Sequence, residues 1–263
     1  MESSIISKFF NVSEGVLYDC YESGSIGIFK QESQDIQFWL EIAKKINGNV
    51  LEIGCGTGRI TTHLAQNDIK ITGIDISEDM LNIARKKSSQ VSWIQSDMRN
   101  FNINDLFDLI IIPYNCFLML PKFDDAEACL TSIQKHLRLG GKLVIDIENP
   151  SPEFLFPLLY NERKCVSSIF EHPYSKKVIV VTRHRKYDST TQILCFQRSY
   201  KFLDSQEIID EEEFFRIYFP QEIEILLHHC KFTVEKKYGN YNFEPFISES
   251  QKQLLICSTA QED

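Results

Sequence analysis

The sequence predicts an α/β fold with a doubly wound, mostly parallel sheet of about seven strands. Between residues 35 and 149, β-branched apolar runs alternate with segments whose apolar residues recur at helical spacing, which is typical of a parallel sheet. After residue 150 the runs become β-branched and aromatic and are separated by turn residues, which is typical of antiparallel hairpins. Two final runs, at 232–238 and 253–258, predict an antiparallel hairpin at the edge of the sheet.

The first part of the chain contains the predicted parallel strands and the helices between them. A helix over 36–46 ends at Asn47-Gly48, and a second helix starts at Ser77, whose hydroxyl is a good N-cap before two acidic residues. The residues Arg138 to Gly141 predict a turn before the fifth strand. The predicted strands are 49–53, 70–75, 91–95, 107–112 and 142–147, and further helices are predicted at 58–67 and 124–137.

The change of pattern after residue 150 predicts three segments. Residues 1–34 form an N-terminal lid or cap, 35–150 and 218–263 form the core, and 151–217 form an inserted antiparallel β region that serves as a lid or substrate region. Pro220 predicts the start of a helix that continues over 222–230. The strands of the inserted region are predicted at 164–170, 177–187, 192–203 and 207–217.

Composition and charge exclude several classes of protein. The 263 residues carry 28 basic and 37 acidic side chains, a net charge of -9, which argues against a surface that binds nucleic acid. None of the eight cysteines forms a CxxC pair, so we expect buried free thiols, no metal site and a cytoplasmic location. No apolar run approaches the roughly 20 residues that a membrane span needs. A homodimer remains open.

A glycine-rich turn follows the first predicted strand. The apolar run Val50 to Ile53 ends at Gly54, Gly56 and Gly58, and a segment of helical spacing follows. Glycine lets a ligand approach bare backbone, and the N-terminus of the following helix presents unpaired N–H groups to it. The spacing is GxGxG, which differs from the GxGxxG of dinucleotide-binding turns.

Acidic residues occur at the carboxyl ends of the strands, where open parallel sheets bind their ligands. Glu52 precedes the turn, Asp75 ends the second strand and Asp97 follows the third. These carboxylates would repel a pyrophosphate and attract a ligand that carries a cationic group. Asp75, about 20 residues beyond the turn, has the position of a carboxylate that accepts hydrogen bonds from a ribose diol.

These motifs resemble those of the class I S-adenosylmethionine-dependent methyltransferases, of the methyltransferase domain 25 type, over roughly residues 35 to 149. The matching segments are Leu51 to Gly58, Gly73 to Ser77 with Met80, Ser96 to Met98, Phe107 to Ile110, and Leu137 to Leu143. The resemblance implies a Rossmann-like sheet and binding of S-adenosylmethionine, with S-adenosylhomocysteine as product.

The resemblance also implies roles for individual residues. The glycine turn would lie against the methionine part of the cofactor, and Glu52 would organise that turn and receive the amino group. Asp75 would hold the ribose hydroxyls, and Asp97 would accept the adenine amino group. The implied cofactor-binding residues are Glu52, Gly54, Cys55, Gly56, Gly58, Asp75, Ile76, Met80, Asp97, Met98 and Pro113.

For the acceptor, the inserted β region and the aromatic N-terminal segment resemble those of family members that methylate small molecules at nitrogen or oxygen. In-line positioning supplies most of the catalysis, because the sulfonium is already a good leaving group. The family has no fixed catalytic residue, and Tyr114 and His172 are the candidates here. The predicted substrate residues are Tyr18, Tyr21, Tyr114, Asn115, Arg216 and Tyr241.

Three alternatives remain from the sequence. The acceptor is a protein or RNA in the first, although Ile111-Ile112 replace the first two residues of the Asn-Pro-Pro-Tyr motif of enzymes that methylate nucleic-acid amino groups. In the second, the chain is a cofactor-binding partner without turnover. In the third, it is a nicotinamide-dependent reductase.

Overall fold

The structure is a computed structural model that describes residues 14–23, 34–160 and 164–259. The described residues fall into two compact units. One unit contains residues 34–155 and those from 216 onward; the other contains residues 14–23 and those described between 156 and 215. Much of the predicted N-terminal lid, residues 1–13 and 24–33, lies outside the described residues.

The first unit contains the following elements. Its helices are α2 (Gln34–Ile46), α3 (Arg59–Gln66), α4 (Glu78–Lys87), α5 (Phe123–His136) and α7 (Pro220–His229). Its strands are β1 (Val50–Ile53), β2 (Ile71–Asp75), β3 (Ser92–Gln95), β4 (Phe107–Ile112), β5 (Leu137–Glu148), β10 (Phe232–Tyr238) and β11 (Lys252–Thr259), with a short 3-10 helix at Cys116–Met119.

These seven strands form one sheet in the order β10-β11-β5-β4-β1-β2-β3. Neighbours from β5 to β3 are parallel, whereas β11 runs antiparallel to β5 and to β10. The predicted doubly wound sheet with an antiparallel edge hairpin is confirmed. The strand order reverses between β1 and β4, so a crevice is expected above the carboxyl ends of these two strands.

The core of this unit follows from the apolar patterns. The side chains of β4 from Leu109 to Ile112 are fully buried, as expected for a central parallel strand covered on both faces. On one face, Phe38 and Trp39 of α2 pack in the same apolar cluster as Val50 of β1. The hydroxyl of Ser77 accepts the N–H of Met80 at 3.3 Å, which confirms the predicted start of α4.

The second unit is a four-stranded sheet with a helix. The strands of this sheet lie in chain order: β6 (Cys165–Glu171), β7 (Val178–Asp188), β8 (Ile193–Phe202) and β9 (Ile209–Arg216). Arg216, the last residue of β9, belongs to the first unit. The strands lie where the sequence predicts the inserted strands. Leu17 of α1 (Glu14–Ser23) packs against Phe170 and Ile179 of this sheet in a small apolar core.

One local prediction is wrong, and one helix was not predicted. A turn was predicted at Arg138–Gly141, but these residues belong to β5, which begins at Leu137. The extra residues of β5 are accommodated by a register shift in its pairing with β4. The helix α6 (Pro152–Tyr160) was not predicted; Pro152 suits its first turn, but Pro157 lies inside it and weakens the sequence signal.

The cysteines are partly as expected. All eight are free, and Cys55, Cys129, Cys230 and Cys257 are buried, but Cys165 is exposed, so the prediction that they are buried is wrong for that residue. In the part of the chain that the structure describes, no helix has the length and apolarity needed to cross a membrane.

Candidate ligand site at the strand tips

The turn after β1 leaves its middle glycine open. A Cβ atom on Gly54 would lie 2.7 Å from Sγ of Cys116, and one on Gly58 would lie 2.6 Å from the ring of Trp93. These two glycines therefore allow close packing. Gly56 has a φ of +53°, and a Cβ atom there would meet no atom within 4 Å. The turn thus exposes bare backbone and open space at its centre, as a bound ligand requires.

Glu52 lies beneath this turn and caps the helix that follows it. Gly58, the N-cap of α3, has no side chain to offer, and the buried carboxylate of Glu52 instead accepts hydrogen bonds from the hydroxyl and the backbone N–H of Thr61. Burial raises the pKa of Glu52 to about 8, although Thr61 and the charge of Arg59 oppose the shift. The contacts of Glu52 fit its predicted role in organising the turn, and its contact with an amino group remains a prediction.

Asp75 connects the tip of β2 to the turn. Its Oδ2 accepts the N–H of Gly56 at 2.8 Å, and its Oδ1 accepts the N–H of Ser77 at 2.8 Å. Burial raises the pKa of Asp75, and the hydrogen bonds from Ser77 and Gly56 oppose that rise. The carboxylate also accepts a backbone hydrogen bond from Ile76. Because an ionised carboxylate has about four acceptor sites, Asp75 retains capacity for a ligand hydroxyl.

The neighbours of Asp75 offer apolar surface. Ile76 is 55% exposed directly beside it, and the side chains of Met80 and Met98 are half-buried. The thiol of Cys55 is buried, and a Cβ atom on Gly73 would lie 2.9 Å from it, so Cys55 contributes to the turn through its backbone, where its carbonyl accepts the N–H of Gly58.

Asp97 is held by a neighbouring arginine. Both carboxylate oxygens accept hydrogen bonds from the guanidinium of Arg99, which also binds Asp125. The hydrogen bonds from Arg99 lower the pKa of Asp97. A contact between Asp97 and an adenine amino group, which remains a prediction, would have to share these oxygens with Arg99.

The turn after β4 is fixed by Asp146 of β5. Pro113 is buried, and both Tyr114 and Asn115 have positive φ angles, of 56° and 64°. Oδ2 of Asp146 accepts the N–H of Tyr114 at 2.9 Å, and the carbonyl of Asp146 accepts the N–H of Asn115 at 3.0 Å. Oδ1 of Asn115 accepts the N–H of Glu148 at 2.7 Å. The side chain of Asn115 therefore holds the backbone of β5.

Arg59, which the sequence analysis did not assign to the site, and the predicted substrate residue Tyr241 complete this edge. Arg59, directly after the glycine turn, forms two hydrogen bonds with the buried Asp35 of α2, and its guanidinium carbon lies 5.5 Å from the ring centroid of Tyr114. The hydroxyl of Tyr241 donates to Oδ2 of Asp146 at 2.8 Å. Tyr114 thus lies beside the glycine turn, and Tyr241 contacts the strand that holds it.

The other predicted substrate residues lie on other elements. Tyr18 is on α1 of the second unit, and the side chain of Tyr21 is outside the described residues. The guanidinium carbon of Arg216, at the end of β9, lies 5.4 Å from the ring centroid of Tyr218.

His172, one of the two candidate catalytic residues, is also in the second unit. It is buried between β6 and β7, and its Nδ1 accepts backbone N–H groups from Tyr174 and Ser175. Its contacts are those of a turn-stabilising residue. Across the described ranges, no group of three or more histidine, cysteine or acidic side chains is arranged to hold a metal ion.

Part of the chain is similar to a known protein family. Residues 50–141, which include the glycine turn and Asp75, match the family model described as a methyltransferase domain. Over this segment the chain is similar to methyltransferases. The matched segment lies in the unit that contains the seven-stranded sheet with the antiparallel edge.

Individual relatives of this chain match over part of their length. A putative methyltransferase YqeM from Bacillus subtilis (strain 168) is 31% identical over 115 residues, which are 42% of this chain and 47% of the relative. A dTDP-3-amino-3,4,6-trideoxy-alpha-D-glucopyranose N,N-dimethyltransferase from Streptomyces venezuelae is 26% identical over 137 residues, 52% of this chain and 58% of the relative. The chain therefore spans about half the length of the curated relatives it matches.

A solved structure extends the likeness in fold to nearly the whole chain. An S-adenosylmethionine-dependent methyltransferase from Clostridium acetobutylicum ATCC 824 superposes with a TM-score of 0.74 at 19% identity, covering 98% of this chain and 100% of that one. At this identity, the likeness establishes a shared fold.

Proposed function

We propose that this protein is a methyltransferase that binds S-adenosylmethionine across the tips of β1, β2 and β3 and transfers its methyl group to a nitrogen or oxygen atom of a small molecule. The observation that carries the proposal is the open Gly56, whose N–H donates to Asp75. Backbone that a ligand can approach and a carboxylate that can accept ribose hydroxyls are thereby held next to each other.

The residues fit the cofactor in three respects. Gly56 leaves the space above the turn open, the oxygens of Asp75 retain acceptor capacity, and the exposed Ile76 offers an apolar surface for a base. The carboxylates of Asp75 and Asp146 lie near the carboxyl ends of the strands and favour a cationic ligand over a pyrophosphate. Bound there, S-adenosylmethionine supplies an electrophilic methyl group on a cationic sulfonium.

The protein's own contribution is positioning. The hydrogen bond between Gly56 and Asp75 fixes the turn against β2, and Asp146 fixes the backbone of Tyr114 at the tip of β4. Held in this way, Tyr114 would border the methyl group and help to orient the acceptor for in-line attack. No general base is assigned, because one is needed only for an acceptor that arrives protonated.

A small-molecule acceptor is supported by the relatives and by charge. The Streptomyces venezuelae relative is named for the dimethylation of an amino sugar nucleotide. The net charge of -9 disfavours RNA, whose phosphates would be repelled. An acceptor that is a protein or RNA, or a cofactor-binding role without turnover, remains the alternative.

Isothermal titration with S-adenosylhomocysteine and with NADH, followed by an assay of methyl release against pooled small amines and alcohols, tests the proposal. We expect S-adenosylhomocysteine to bind and NADH not to bind, with turnover in one of the small-molecule pools. Binding of NADH alone would replace the proposal with a reductase. Binding of S-adenosylhomocysteine with turnover only on added protein or RNA would exclude the small-molecule acceptor.

A further inference from the structure

A cluster of charged side chains occupies the end of the sheet next to Tyr114. Asp146 and Glu148 lie at the carboxyl end of β5, and Lys252 starts the antiparallel strand β11 directly opposite Glu148. Because Ile112 of β4 pairs with Ile145, Asp146 is level with the residue that follows β4. The cluster therefore lies at the edge of the sheet that carries the glycine turn.

Asp146 connects this cluster to Tyr114. Its side chain is fully buried, and its Oδ2 accepts both the N–H of Tyr114 and the hydroxyl of Tyr241. Its Oδ1 accepts no hydrogen bond among the described residues and lies 3.6 Å from Nζ of Lys252. One oxygen thus accepts hydrogen bonds from two tyrosines, while the other lies near an ammonium.

Two carboxylates share that single ammonium. Nζ of Lys252 lies 3.0 Å from Oε2 of Glu148, whose side chain is 29% exposed. Burial alone would lower the pKa of Lys252, but the charges of Asp146 and Glu148 outweigh it and raise that pKa. The nearby Arg59 is paired with Asp35 and contributes no net charge. Asp146, Glu148 and Lys252 together therefore have a formal charge of -1.

We propose that Asp146, Glu148 and Lys252 form the acceptor end of the site and that their excess negative charge selects an amine as the methyl acceptor. The inference rests on the proposed function and names its substrate class. An excess charge in a partly desolvated place is stabilised by a ligand of opposite sign. An ammonium provides that charge, a neutral hydroxyl does not, and a carboxylate is repelled.

Methyl transfer to an amine is compatible with binding of its ammonium form at the cluster. The ammonium binds at the cluster and releases one proton to water, which frees the nitrogen lone pair. That lone pair forms the bond to the methyl carbon as the carbon–sulfur bond breaks, and the electron pair of that bond stays on sulfur. The product leaves as a methylated ammonium.

Two nucleoside probes measure the field of the cluster without a known acceptor. S-adenosylhomocysteine has no charge at the sulfur, whereas sinefungin has, in place of the methylated sulfur, a carbon that bears an amino group. For Glu148→Gln, we expect sinefungin to bind roughly three- to tenfold more weakly, with S-adenosylhomocysteine unchanged within about twofold. For Lys252→Met, we expect the affinity ratio of sinefungin to S-adenosylhomocysteine to rise by a similar factor.

The ion pair between Lys142 and Glu235 provides matched controls, since Lys142 lies nearer the opposite end of β5. Lys142→Met and Glu235→Gln should leave the affinity ratio unchanged. An unchanged ratio in Glu148→Gln, or a parallel loss of both probes, would overturn the inference even if Lys252→Met does not fold. If the wild-type protein binds neither probe, the proposed function itself is wrong.

Discussion

The N–H of Gly56 donates a 2.8 Å hydrogen bond to Oδ2 of Asp75, 19 residues further along the chain. This bond fastens the turn after β1 to the tip of β2. In the proposed site, the methionine part of the ligand lies against Gly56 and the ribose lies against Asp75. A substitution at either residue should therefore weaken binding for a different physical reason.

Replacement of Asp75 by alanine should lower the affinity for S-adenosylhomocysteine at least about tenfold. The ribose hydroxyls lose their acceptor, and the N–H groups of Gly56 and Ser77 lose theirs, at a cost of about 1–3 kcal/mol for each unsatisfied buried group. Isothermal titration measures the effect. Asp105→Ala, at an exposed position before β4, is the control. Unchanged affinity in folded Asp75→Ala would show that Asp75 does not hold the ligand.

Gly56→Val should abolish binding of S-adenosylhomocysteine while the protein still folds. The new side chain meets no protein atom at its Cβ, so its main effects are backbone strain of about 1–2 kcal/mol and occupation of the space above the turn. Gly140→Val is a matched control, because Gly140 also has a positive φ of +79° and open space at Cβ but lies near the start of β5. Similar thermal destabilisation with binding lost only in Gly56→Val is the expected result.

The stability of the protein should depend on the titration of Glu52. Because its pKa rises from an ordinary 4.5 to about 8 on folding, the folded state holds one more proton than the unfolded state between these values. Stability due to this group is therefore fully present below about pH 4.5 and is lost as pH rises to about 8. Relative to wild type, Glu52→Gln should gain on the order of a few kcal/mol between pH 5 and 8.

Urea unfolding at pH 5, 6.5 and 8 tests this difference. Glu235→Gln is the control, because the hydrogen bond from Lys142 lowers the pKa of Glu235 and leaves it ionised in both states across that range. Its stability difference from wild type should be flat. A flat difference for Glu52→Gln as well would mean that Glu52 is ionised in the folded protein.

Asn115 should contribute to stability through both its backbone and its side chain. Asn115→Ala removes the hydrogen bond to the N–H of Glu148 and places alanine at a φ of 64°, so we expect a loss of about 2 kcal/mol in the free energy of unfolding. Asn115→Gly relieves the backbone strain but not the lost bond, and we expect about half that loss. Equal losses of unfolding free energy in the two variants would show that the positive φ at Asn115 does not strain alanine.

Local chemistry made much of the fold predictable. Ser77 before two acidic residues and Pro220 at the start of α7 both mark helix starts that the structure contains. The glycine turn and Asp75 were predictable because each position needs one residue type, a residue without Cβ or a strand-end carboxylate. The apolar run of β4 indicated a strand buried on both faces.

The acceptor end of the site was less predictable because its contacts are distant in sequence. Tyr241 and Asp146 are 95 residues apart, and Arg59 and Asp35 are 24 apart. Periodicity shows which face of an element is buried, but it does not identify the partner across the fold. The partner of Asp97 is close in sequence, because Arg99 lies two residues away. Arg99 competes with a ligand for the carboxylate oxygens of Asp97.

A crystal structure of the protein with S-adenosylhomocysteine tests the central claim most directly. We expect the ligand against the backbone of Gly54 to Gly58, with both ribose hydroxyls within hydrogen-bonding distance of the carboxylate of Asp75 and the sulfur facing Tyr114. A ligand bound away from the turn, or an Asp75 that keeps only its backbone partners, would contradict the account.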